Sequence, residues 1–214
     1  MARRLQILPI VIVAASFSAS SADARNRPLQ DFNLITPIAE ASPTLAPFQH
    51  VRFCLRYPSD CKSGSTQYER IELNPENFKL LNSVNSSVNA AIAPTVKAYG
   101  SDLKDGWSIS PIAGDCNDFA VTKRHELLEH GLPANDLRLS VVKTSSGIGH
   151  LVLVVVTTKG DLVLDNLTET ILPWQSTDYL WLKIQSATDA RFWYQVKSPV
   201  VASQAERRVR LADR

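Results

Sequence analysis

The stretch that most constrains the fold is His150–Leu167, "HLVLVVVTTKGDLVLDNL". Its first part, His150–Thr158, is almost wholly apolar and rich in β-branched valine, the pattern of a strand buried on both faces at the centre of a sheet. Lys159-Gly160 reads as a tight turn, so Asp161–Leu167 returns antiparallel beside the first strand. With those two residues as the loop, Thr158 faces Asp161, His150 faces Glu169 and Asp165 faces Val154. Direct pairing keeps His150 and Asp165 on one face but some four residues apart along the strand.

Three more strand patterns flank this hairpin. "LRLSVVKT", Leu137–Thr144, precedes it, and the aromatic-rich "YLWLKIQS" and "RFWYQV" follow. "FQHVRFCLRYPSDC" also reads as a strand, running into a turn at Pro-Ser-Asp. Two helices are expected. "NPENFKLLNSVNSSVNAAIAP" has Asn74 as N-cap, Pro75 in the first turn, and Phe78, Leu81, Val84 or Asn85, Val88 and Ile92 at helical spacing; Pro94 stops it. "GDCNDFAVTKRHELLEHG" predicts a helix from about Asp115 to His130, capped by Asp115 and ended by Gly131, with Phe119, Ala120, Leu127 and Leu128 on its buried face. "YGSDLKDGWSISPIAGD" is a loop containing Trp107. The whole reads as one α+β domain over residues 48–198, without repeats, between a proline-bearing, loosely packed arm (25–47) and a charged tail (199–214).

The first residues belong to a leader. A basic start, "MARR", an apolar run, "LQILPIVIVAASF", and the small-residue site Ala22-Asp23-Ala24 make residues 1–24 a cleaved signal peptide. The apolar run is shorter than the roughly 20 residues a spanning helix needs, and no later segment reaches that length. The expected product is periplasmic or secreted. The formal charge is +2, and the leader holds Arg3, Arg4 and Asp23, so the remainder carries +1. A near-neutral exported chain excludes a nucleic-acid binder.

Export decides how the three cysteines are read. In an oxidising compartment thiols pair. Cys54 and Cys61, separated by one short turn, are expected to be joined. Cys116 is then the odd one, and an odd thiol in such a compartment is intermolecular, inert or chemically employed. It sits directly after the helix cap, where free amides and the macrodipole favour a thiolate.

A nucleophilic thiol needs a base. His125 and His130 are on the same helix, roughly 13 and 21 Å along it at 1.5 Å per residue, and do not reach. His50 is not excluded by distance. His150, at the head of the central strand, is the best-placed candidate. A base histidine in turn wants an acceptor to hold its tautomer, and Asp165 on the paired strand can serve.

Together "GDCND", then "GHLVLVV", then "DLVLDNL" resemble the bacterial transglutaminase-like cysteine proteinases over about Phe48–Val196. The resemblance implies a transglutaminase/papain-like core, with the catalytic cysteine at a helix N-terminus packed on an antiparallel sheet that carries histidine and aspartate. It implies that Cys116, His150 and Asp165 form a triad for hydrolysing a peptide bond, with backbone amides near Cys116 as oxyanion donors. Known relatives are periplasmic proteases that clip a large surface adhesin and so release biofilm cells, which points to a protein substrate and an inner-membrane regulatory partner. Those relatives hold calcium with acids flanking the cysteine. The matching residues are Asp115, Asn117 and Asp118, where Asn117 leaves one charge fewer. An acyl transferase using the same thioester, and a non-catalytic binding module of the same fold, are the competing readings.

Overall fold

The computed structural model describes residues 36–65, 69–98, 100, 102 and 105–197. The expected signal peptide, the first part of the arm and the charged tail lie outside these residues. Among the described residues, no helix is long and apolar enough to cross a membrane.

Helix α3 (Cys116–Glu129) is specified at both ends by its own residues. Asp115 accepts from the Asn117 amide at 3.0 Å, and Asp118 reaches back to the Asp115 amide at 2.9 Å, completing a capping box. Gly114 makes room for that return: a Cβ there would lie 2.7 Å from the Asp118 side chain. At the other end the Leu132 and Gly131 amides bond Leu127 O and Leu128 O, and Gly131 takes φ 82°. This is a Schellman ending, at the position a Cβ-free residue fits best. The helix is buried on nearly every side, Asp118 through Arg124 included, because it runs between the sheet and α2 (Pro75–Ala91). The latter begins as expected, with Asn74 accepting from Asn77 N at 2.8 Å, and buries Leu81, Val84, Asn85 and Val88.

The sheet contains β1 (Glu40–Thr44), β4 (Leu137–Lys143), β5 (Gly149–Thr157), β6 (Gly160–Leu164), β7 (Leu172–Pro173), β8 (Leu180–Gln185) and β9 (Trp193–Val196). Their order is β1-β9-β8-β4-β5-β6-β7, antiparallel throughout. A two-residue parallel ribbon, β2 (Ala93–Pro94) with β3 (Ala113–Gly114), leads into α3. As the apolar run requires, β5 lies inside the sheet and is buried on both faces. Val152, Val154 and Val156 join Ile38, Val142, Val163, Trp174, Trp181 and Ile184 in one cluster. Leu151, Leu153 and Val155 alternate to the other face. Helix α3 packs on β4 and β5.

Three expectations are corrected. Phe48–Arg56 is helix α1, not a strand. Its inward side chains, His50 and Phe53, pack against Trp107, and His50 also meets Trp193. This tertiary burial overrides the local alternation that suggested a strand. The arm is bound into the fold from residue 36: Thr36 O accepts from Trp174 Nε1 at 2.6 Å, Ile38 N donates to Asp161 Oδ2 at 2.7 Å, and Glu40–Thr44 is the edge strand beside β9.

The third correction concerns register. The hairpin turns on Thr158-Lys159, and Thr157 pairs with Gly160. Thr158 is held elsewhere: its amide bonds Ile71 O at 2.9 Å and its hydroxyl accepts from Leu73 N at 3.1 Å. Gly160, at φ 111°, takes the first pairing position instead. The last ladder pair is Leu153 with Leu164. One step further would put Asp165 opposite Val152, two residues from His150 on the same face rather than four.

Candidate active site

That register shift brings the two side chains together. His150 Nε2 and Asp165 Oδ1 are 2.8 Å apart, and both residues are buried. Asp165 follows the last residue of β6, where the chain leaves the ladder. Its Oδ1 also accepts from Leu167 N at 3.0 Å, its Oδ2 accepts from Tyr179 Oη at 2.5 Å, and its backbone carbonyl accepts from Asn89 of α2 at 3.0 Å. Cys116, half-buried at the first position of α3, is the free thiol among the described cysteines. Its sulfur lies near enough to His150 to act on the imidazole's charge. With Nε2 on Asp165, Nδ1 is the imidazole nitrogen left for sulfur.

The electrostatics follow from these contacts. Burial would push His150 down, but the hydrogen bond it donates to Asp165, and its interactions with the Asp165 and Cys116 charges, raise it to about 9. Burial would push Asp165 up. The hydrogen bond and charge of His150, then Tyr179 and the Leu167 amide, more than offset this and hold it below its ordinary value. The arrangement therefore favours an imidazolium clamped to a carboxylate. Lys123, two turns along α3 from Cys116, is a buried amine that feels the charges of Asp165 and Glu169. Burial lowers it to about 7, against the pull of those two acids.

Tyr179 was missed in the sequence, where it reads as the lead-in to the strand pattern "YLWLKIQS". Besides its bond to Asp165, its ring meets the His150 ring edge-on, with centroids 5.7 Å apart. Burial first, and then its bond to the Asp165 carboxylate, push the phenol well above its usual range, so it stays a donor. A cleft of about 320 Å³ opens beside Tyr179 and Asp165, also lined by Leu167, Thr170 and Ser176. Neither Cys116 nor His150 lines it, so it flanks the cluster on the Asp165 side.

The other histidines are placed apart from this cluster. His50 lies 3.6 Å from Cys54 Sγ, which is joined to Cys61 by a disulfide as expected, and it accepts from Trp193 Nε1 at 3.2 Å. His125 Nδ1 is 2.9 Å from Asp60 Oδ1, and His130 caps the exposed end of α3.

Asp115, Asn117 and Asp118 are also neighbours, but they do not fit a bound cation as arranged. Asp118 is fully buried, and both its oxygens already accept from N–H groups: Oδ1 from Lys97 Nζ at 2.9 Å and Ser108 N at 2.8 Å, Oδ2 from Asp115 N. Asp115 Oδ1 accepts from both the amide and the side-chain nitrogen of Asn117, each at 3.0 Å. Asn117 thus presents donors to Asp115, where a metal ligand would present an acceptor.

A free thiol at a capped helix mouth thus stands beside a buried histidine–aspartate pair carried by an antiparallel sheet. The model of the bacterial transglutaminase-like cysteine proteinases matches residues 40–200, most of the chain, and the protein belongs to that family. It is accordingly a cysteine protease with an α+β, transglutaminase-like fold acting on protein. Among solved structures, calcium-bound LapG of Legionella pneumophila is 27% identical, with 60% of this chain and 75% of that one covered at a TM-score of 0.47. The EGTA-treated form is 24% identical, with 72% and 80% covered at 0.43. A search of curated proteins finds no significant match.

Proposed function

We propose that the protein is an exported cysteine endopeptidase whose reaction runs on Cys116, His150 and Asp165. The observation that carries this reading is buried His150, 2.8 Å from the Asp165 carboxylate and under the influence of the free Cys116 thiol. With its proton already resting on His150, the Cys116 sulfur attacks the scissile carbonyl carbon. The C–N bond breaks as His150 returns the proton to the departing amine, leaving a thioester on Cys116. Water, deprotonated by His150, then cleaves the thioester, and the free acid leaves. Asp165 keeps the imidazole oriented and stabilises its charged form, and Tyr179 holds the second carboxylate oxygen. The family resemblance makes a large cell-surface adhesin the proposed substrate class and the periplasm the proposed site of action.

The test is a peptide library incubated with the full protein and read by mass spectrometry. Cleavage at a restricted set of bonds is expected, lost by about 10³-fold or more in Cys116→Ala. Undiminished cleavage in that variant overturns the assignment. An added primary amine that ends up joined to the new acyl end, in place of water, would make the protein a transferase.

A further inference from the structure

Lys97 belongs to no motif, yet its ammonium is set into the first turn of the helix that carries Cys116. Nζ donates to Asp118 Oδ1 and to the Gly106 carbonyl, each at 2.9 Å. The Lys97 side chain is 19% exposed and its partner carboxylate 0%. Asp118 thereby ties three separate pieces of chain together: the segment after β2 through Lys97, the Trp107 loop through the Ser108 amide, and the mouth of α3 through the Asp115 amide. A carboxylate oxygen and a peptide carbonyl oxygen converging on one point are the ligands a hard cation takes. Here a side-chain ammonium takes both.

We propose that Lys97 is a built-in cation, pinning the Trp107 loop to Asp118 and so setting the position of Cys116, and that it makes the folded protein indifferent to calcium. The proposal rests on the reading of Cys116 as the nucleophile only for its consequence in catalysis; the pinning itself does not depend on it. The physical ground is the cost of an unpaired buried charge. Asp118 is fully buried, and Lys97 is its cationic partner at 2.9 Å. Without Lys97 the carboxylate would keep only neutral amides. With it, a divalent ion would have to displace an ammonium held by two oxygens before meeting Asp118. Lys97 is thus a positioning residue, acting on Cys116 through Asp118 and the capping box.

The experiment is thermal unfolding of the full protein in EGTA and in calcium chloride, beside calorimetric titration with calcium chloride. Wild type is expected to melt at the same temperature in both and to give no binding heat. Lys97→Met should melt lower by roughly 5–10 °C. Lys97→Met combined with Asp118→Asn should melt no lower than Lys97→Met alone, because the unpaired charge is gone. A melting temperature that rises with calcium, a measurable calcium-binding heat in wild type, or losses that simply add in the double variant would each overturn the proposal. If Lys97→Met does not fold, the two wild-type measurements still decide. None of these readouts needs turnover, so a failure of the protease assignment would appear in Cys116→Ala and leave them untouched.

Discussion

Two histidines in this molecule sit against sulfur, and they are set to opposite ends of the pH scale. His50 packs within 3.6 Å of Cys54 Sγ, ringed by Phe53, Trp107 and Trp193; burial, with help from the charge of Arg124, lowers it to about 4. His150 is also buried, yet it is raised to about 9. The difference is the company, not the sulfur. His50 meets an oxidised sulfur and an indole N–H donor, and among the described residues no carboxylate lies within hydrogen-bond range of it. His150 has Asp165 on one nitrogen and a free thiol acting on its charge. A neutral imidazole beside a disulfide is packing; an imidazolium between a carboxylate and a thiol can move a proton.

Removing the carboxylate charge should break the contrast most severely. Asp165→Asn is expected to lower the cleavage rate by roughly 10²–10⁴-fold, since the amide no longer supports the imidazolium or fixes its tautomer. Peptide turnover checks this, and a loss below tenfold would mean that Asp165 only packs. Tyr179→Phe should cost about tenfold, the worth of one hydrogen bond to a charged group, mainly in kcat. Should KM alone rise, Tyr179 would be a substrate contact instead.

The smallest effect is in stability against pH, and it separates the two histidines by sign. His150 has a folded value above its unfolded one, so its contribution is full below about 6.5 and is lost as pH rises through about 9. His50 has a folded value below its unfolded one, so its contribution is present above about 6.5 and is lost as pH falls towards about 4. Melting curves should therefore show His150→Gln flattening the alkaline limb and His50→Gln the acid limb. Variants that flatten the same limb would erase the comparison.

How much of this could be read in the sequence depended on whether local chemistry or distant packing decided the position. Helix α3 was legible because its cap, its capping box and its terminal glycine lie within its own segment. The central strand was legible because burial on both faces leaves an unbroken apolar run. The pairing of His150 with Asp165 was legible in order and face but not in reach, because the turn is set by Thr158 bonding to Ile71 and Leu73, far back in the chain. Helix α1 was misread because its inward residues answer to Trp107 and Trp193. Tyr179 and Lys97 left no sequence signal, since each acts through a partner 14 or more residues away.

The central claim is that His150 makes Cys116 a nucleophile. The most direct measurement is the rate at which iodoacetamide alkylates Cys116 at neutral pH, followed by mass spectrometry in wild type and in His150→Ala, with His50→Gln as the matched control. Fast, selective labelling of Cys116 in wild type and in His50→Gln, slowed by at least about tenfold in His150→Ala, is the result this account predicts. Equal labelling in wild type and His150→Ala would contradict it.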